Sequence, residues 1–86
     1  DEFFTPNGDG ENDVWCIKNI EYYPDAIIRI YDRYGKNVYE VTEYSIYNAW
    51  NGKDKNGRDL PSTDYWYVID VQSSDRVYYG HVTLLR

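Results

Sequence analysis

The sequence predicts an all-β domain, a small antiparallel β-sandwich of about six to eight short strands. Three observations carry that expectation. Val, Ile, Thr, Tyr, Phe and Trp fill 34 of the 86 positions while Ala, Leu and Met fill five, a balance that suits pleated, half-buried surfaces better than helices. Runs of alternating apolar and polar residues recur along the chain, and clusters of Gly, Pro, Asn and Asp separate them every 8–12 residues or so, the spacing of about one short strand and its turn. A chain of 86 residues is enough for one domain with one small core and no more.

The first signal along the chain is a break. Thr5-Pro6-Asn7-Gly8-Asp9-Gly10-Glu11-Asn12-Asp13 combines two glycines, a proline and several side-chain acceptors, which forbids a regular element and predicts a structured loop. Trp15, Ile17 and, past a bend at Asn19, Ile20 then give an apolar rhythm opposite Cys16 and Lys18, which predicts a strand over residues 13–20. Pro24 closes that region. In Ala26-Ile27-Ile28-Arg29-Ile30-Tyr31 the core candidates are Ile28 and Ile30, and Tyr34-Gly35-Lys36-Asn37 turns the chain into Val38-Tyr39-Glu40-Val41, a hairpin over residues 26–41 with Gly35 supplying a positive φ.

Residues 42–49 fit neither helical nor strand period well and are left open between a loop and a short irregular strand. Two Asn-Gly pairs and Pro61 mark residues 50–61 as a tight polar connection. The clearest strand follows: Tyr65, Tyr67, Ile69 and Val71 form an apolar face, and Asp70 and Gln72 lie on the other. Ser73-Ser74-Asp75 turns into a last strand through Leu85, in which Gly80 predicts a bulge or a close backbone approach.

The same residues exclude several functions. The net charge is −6, and its whole excess lies in residues 1–25, with seven acids and one base, against eight of each in residues 26–86. With no basic stripe to displace counterions, nucleic acid is not an expected partner. No apolar run reaches the roughly 20 residues of a membrane-spanning helix, and the first residues are not a signal peptide, so any export signal is expected upstream in a longer chain. The single cysteine, Cys16, forms no internal disulfide and has no base beside it to make it a nucleophile. His81, the one histidine, has no second ligand or nucleophile nearby, so no catalytic residue is expected and the domain is read as non-enzymatic.

Two features suggest binding. Asn7, Asp9, Glu11 and Asp13 recur at every second position and can turn several oxygens toward calcium, the one cofactor the sequence suggests. The loop departs from an EF-hand at Asn12 and Lys18, and the alternative is a set of Asx turns held by side-chain to backbone bonds. Asn51, Asp54 and Asn56 are weaker candidates of the same kind. Among the aromatic residues, Trp66 and Trp50 are candidates for an exposed platform that stacks on sugars or on a protein.

Phe4-Thr5-Pro6-Asn7-Gly8-Asp9-Gly10-Glu11-Asn12-Asp13-Val14-Trp15, Ile30-Tyr31-Asp32-Arg33-Tyr34-Gly35, Trp50-Asn51-Gly52, Leu60-Pro61 with Tyr65 and Tyr67, and Gly80-His81-Val82-Thr83-Leu84-Leu85-Arg86 occur in that order. Together they resemble the gliding motility-associated C-terminal domain, the type B sorting domain of the Bacteroidetes type IX secretion system. They are more distantly similar to the immunoglobulin-like domain of flagellar hook-capping proteins. Asn51 stands where the family has Asp, and Ser62-Thr63 where it has Gly-Thr.

The resemblance implies an immunoglobulin-like sandwich spanning residues 1–86 as the C-terminal domain of a larger exported protein, a cell-surface or secreted adhesin or hydrolase. It implies a covalently attached N-terminal cargo, carried through the periplasm and across the outer membrane. The implied partners are the type IX outer-membrane translocon and a porin-like protein of the PorP/SprF type. The last strand, with Tyr79, His81, Thr83, Leu85 and Arg86, is the expected recognition surface. The competing expectations are a glycan- or protein-binding module and a calcium-rigidified spacer.

Overall fold

The computed structural model describes residues 2–8, 10 and 13–86. Five strands lie in one sheet: β1 (Glu2–Phe4), β2 (Ala26–Tyr31), β3 (Asn37–Thr42), β4 (Thr63–Val71) and β5 (Arg76–Leu84), in the order β1-β5-β4-β2-β3. The all-β class holds, with five strands among the described residues rather than six to eight. The sheet is mixed rather than antiparallel throughout, because β1 runs parallel to β5 while the other three pairings are antiparallel.

The hairpin over residues 26–41 forms as β2 and β3, and Gly35 takes φ 81° in its turn. The alternation read from sequence fixes which face of β2 and β4 is buried: Ala26, Ile28 and Ile30 on β2 and Tyr65, Ile69 and Val71 on β4 point into the core, joined by Val82 and Leu84 of β5 and Phe4 of β1.

The predicted strand at residues 13–20 does not form. That segment is irregular, bends at Asn19 with φ 66°, and ends in a 3-10 turn, Ile20–Tyr22. Its apolar residues still go where the rhythm put them: Trp15 and Ile20 are buried. They lie on the inner face of the sheet together with Tyr44 and Trp50 from the equally irregular segment that follows β3. This second layer is a sandwich wall built from loops.

It holds because buried backbone groups must find partners, and aromatic side chains with polar tips supply them. The backbone N–H of Trp15 donates to the Trp50 carbonyl, while the Tyr44 hydroxyl donates to the Trp15 carbonyl and accepts the backbone N–H of Trp50. Three residues far apart in sequence are thus tied without a ladder. The ring of Trp15 lies 4.7 Å from that of Tyr67, and Trp50 packs between Phe4 and Tyr65, each 5.2 Å away.

Gly80 marks the close approach that its sequence position suggested. It sits opposite Tyr67 on β4, and a Cβ there would lie 2.3 Å from the Tyr67 hydroxyl oxygen. The tyrosine ring covers the glycine and cannot swing away freely, since Trp15 packs on it. Gly80→Ala is expected to lose about 1–3 kcal/mol by overpacking. Adding Tyr67→Leu should return part of that loss, so that urea unfolding of the four proteins of the cycle shows a coupling of about 1 kcal/mol or more.

Candidate functional site

The outer face of the sheet, opposite the core, has no covering layer among the described residues. The registers place its side chains in rows across the strands. Tyr31, Trp66 and His81 stand opposite one another on β2, β4 and β5; Arg29, Val68 and Tyr79 form the next row, and Ile27, Asp70 and Val77 the one after. On the other side of the first row, Asp64 faces Thr83, which faces Phe3 of β1. Trp66 is 47% exposed, Tyr79 75% and Phe3 53%.

Charge on this face is confined and largely paired. Arg29 forms ion pairs of 3.3 Å with Glu40 and with Asp70, and Thr83 donates its hydroxyl to Asp64. The result is a flat aromatic strip bordered by carboxylates. Such a surface suits recognition by shape and stacking better than chemistry on a bound substrate.

The residues expected on the recognition strand divide. Tyr79 and His81 are exposed and Thr83 half-buried, all on the outer face. Leu85 is 45% exposed and donates its N–H to the Phe4 carbonyl. Arg86, though exposed, spends its donors on the domain itself. Its Nε donates to the Leu60 carbonyl at 2.7 Å and its Nη2 to the Gly52 carbonyl at 2.6 Å, Asp59 lies 3.7 Å away, and its backbone N–H donates to Ser62 Oγ at 2.9 Å.

Gly52 fits under this clamp at φ 84°, where a Cβ would sit 2.9 Å from Arg86 Nη2 and 3.0 Å from Leu84. This accounts for the glycine of the Trp50-Asn51-Gly52 turn. Arg86→Ala is expected to cost about 1–3 kcal/mol through loss of charge-assisted bonds, with faster amide exchange in residues 52–60. Arg86→Lys, a point charge without the planar fork, should recover only part of it.

Trp50 is not a platform: it is fully buried, with its indole N–H donated to the Lys53 carbonyl at 2.9 Å. Trp66 is the exposed tryptophan. Cys16 is free and exposed.

Of the four expected calcium ligands, Asp9 and Glu11 lie outside the described residues. Asn7 is exposed. Asp13 turns both carboxylate oxygens inward to the loop, Oδ1 accepting the N–H of Gly8 at 2.9 Å and Oδ2 that of Gly10 at 2.8 Å. Among the described residues no three of His, Cys, Asp and Glu are gathered closely enough to hold a metal.

Asp54 is occupied in the same way. Its Oδ1 accepts the N–H groups of Asn56 and Arg58 at 2.9 and 3.0 Å, and those bonds, the one from Arg58 foremost, hold its carboxyl below the usual range. Asp32 Oδ1 accepts the N–H groups of Tyr34 and Lys36 in the same arrangement, both at 2.9 Å. The two turns share the pattern Asp-x-x-Gly and line one shallow depression together. That second copy, Asp54-Lys55-Asn56-Gly57, was readable in the sequence as a repeat of Asp32-Arg33-Tyr34-Gly35.

No helix among the described residues is long and apolar enough to cross a membrane. The comparison with protein families gives a match to the CHU_C type IX secretion signal domain over residues 1–84. None of the curated proteins resembles the chain closely enough to count as a match.

Proposed function

Since the chain belongs to the type IX secretion signal domain family, and so serves a cargo protein as its C-terminal sorting signal, we propose that the outer sheet face is the surface through which it is read. The family match over residues 1–84 carries the function: the family is not a catalytic one, its role implies a secretion machinery and a linked cargo, and it implies export to the cell surface or the medium. Beyond that, the proposed reader is the outer-membrane translocon with a porin-like protein of the PorP/SprF type, met after passage through the periplasm. The domain is proposed to act without catalysis of its own.

Tyr79, His81 and Thr83, continued by Trp66 and Tyr31, form the proposed contact, with Leu85 at its end. Their support is the exposure of Trp66, Tyr79, His81 and Leu85, with Tyr31 and Thr83 half-buried beside them, on a face that no described residue covers. Arg86 contributes by holding the loop at residues 52–60 rather than by touching the receptor. Residues 1–86 fused behind a signal-peptide-bearing fluorescent reporter are expected to leave a Bacteroidetes cell only when its type IX translocon works. Tyr79→Ser with His81→Ser should cut that export by about tenfold, the effect of losing roughly 1.4 kcal/mol of binding, while the urea midpoint stays put. Undiminished export would remove this face from the proposal.

The row Tyr31, Trp66, His81 also favours a second reading, a glycan-binding surface, because aligned rings stack on sugar faces and two of the three, Trp66 and His81, are exposed. With Trp15 and Trp50 buried, a fluorescence change on titration with polysaccharides would report on Trp66. A saturable response lost in Trp66→Ala would establish it. For the loop at residues 5–13 we favour the Asx-turn reading over calcium, because Asp13 already serves two N–H groups; a melting temperature raised by millimolar calcium would reverse that choice.

A further inference from the structure

β5 is paired with β4 along its whole length, from Arg76 to Leu84. On its other flank β1 pairs only with Val82, Thr83 and Leu84. Of nine residues in the strand, those from Arg76 to His81 therefore present an edge with no partner among the described residues.

The polar groups on that edge can be assigned. Leu85 donates its N–H across this flank to the Phe4 carbonyl, and the backbone groups of successive strand residues alternate between the two flanks. Val77 and Tyr79 thus point their N–H and C=O groups, and His81 its N–H, at the open edge, while Tyr78 and Gly80 point theirs at β4. Unpaired groups of this kind template a further strand.

The direction of β1 says which strand. It runs parallel to β5, Glu2 opposite Val82 and Phe4 opposite Leu84, so the chain ahead of Glu2 arrives from the side of Arg76. We infer that the polypeptide joining the domain to its cargo extends β1 along the open edge of β5, pairing in parallel register from His81 back to Arg76. The inference rests on the sorting-signal reading, which sets cargo chain ahead of Glu2. A segment already anchored at Glu2–Phe4 reaches this edge intramolecularly, whereas a second copy or a foreign strand must first lose its translational freedom.

The register also gives the segment a pattern. Its residue opposite Gly80 falls on the inner face, beside Tyr67 and the 43% exposed Tyr78, and is expected to be apolar. Its neighbour opposite Tyr79 falls on the outer face. Proline is excluded wherever the segment must donate an N–H.

The test is residue-resolved amide exchange by NMR on residues 1–86 and on the same domain preceded by the roughly ten residues before it in its parent, a length sufficient to span the open edge. In the longer protein, exchange at Val77, Tyr79 and His81 should slow by about tenfold or more, while Tyr78 and Gly80, already paired, stay nearly unchanged. Prolines at alternate positions of the added segment should restore the fast rates. Equal rates in the two proteins would overturn the inference. Slowing that grows with protein concentration would overturn it too and give the edge to a second copy. Reporter export is scored separately: export without slowed amides rejects the strand and keeps the address, and slowed amides without export do the reverse.

Discussion

Trp50→Ala is expected to remove about half of the domain's stability and to lower its urea midpoint accordingly. The side chain is fully buried, its ring packs on Phe4 and Tyr65 at 5.2 Å each, and its indole N–H satisfies the Lys53 carbonyl. Truncating a tryptophan in such a position costs about 3–5 kcal/mol, and a domain of this length has roughly 5–10 kcal/mol in total. Trp50 also sits where the two layers meet, so the cavity cannot close by a shift of one loop alone. Far-UV circular dichroism in urea measures the loss. Trp50→Phe keeps most of the packing and should fall between the alanine variant and the parent; an alanine variant with an unchanged midpoint would mean that the loop layer does not support the sheet.

Tyr44→Phe, the removal of one oxygen atom, is expected to cost about 2–4 kcal/mol. The hydroxyl serves two buried backbone groups, the Trp15 carbonyl that accepts its proton and the Trp50 N–H that donates to it. Without it both are orphaned, at about 1–3 kcal/mol apiece before relaxation. The same oxygen has a signature in pH. Burial, the largest influence, pushes the Tyr44 phenol well above its ordinary range, against the lowering effect of the bond from Trp50.

A group whose folded pKa is raised gives stability that is complete below its unfolded pKa, about 10 for tyrosine, and lost as pH climbs toward the folded value. Stability should therefore fall above pH about 10. Tyr44→Phe should make that fall shallower without abolishing it, since burial also raises Tyr39, Tyr65 and Tyr67. An equal slope in the variant, measured by urea midpoints across that range, would show that Tyr44 does not titrate as a buried group.

The parts of this fold that were legible from sequence are those in which side-chain period and backbone hydrogen bonding agree. β2, β3, β4 and β5 all show alternation, and all form ladders. The segment at residues 13–20 shows alternation too, yet its backbone bonds go to Trp50 and to a tyrosine hydroxyl rather than to a strand. Periodicity reports which residues are buried and not which partner their N–H groups find.

β1 was illegible for the opposite reason. With three residues it is too short to show any period, and parallel pairing to the far end of the chain leaves no local trace. At the candidate site, Trp66 was placed on the outer side by alternation alone, whereas the burial of Trp50 follows from the path of a loop. The inward turn of Arg86 depends on two carbonyls that no sequence pattern marks.

The order of strands in the sheet bears on timing. β5 lies between β1 and β4, and its Val82 and Leu84 are completely buried, so the first strand has no neighbour until the final one has been synthesised. A nascent chain stopped anywhere before residue 76 carries β1 with nothing to pair to and a core without its floor. Closing a contact between the two ends of the domain is also entropically late, which slows folding. The domain therefore acquires its shape only once β5 has been made, and its first strand stays unpaired until then. A chain broken off ahead of β5 thus lacks both the partner of β1 and the buried Val82 and Leu84, and a fragment of that kind is expected not to present the folded domain.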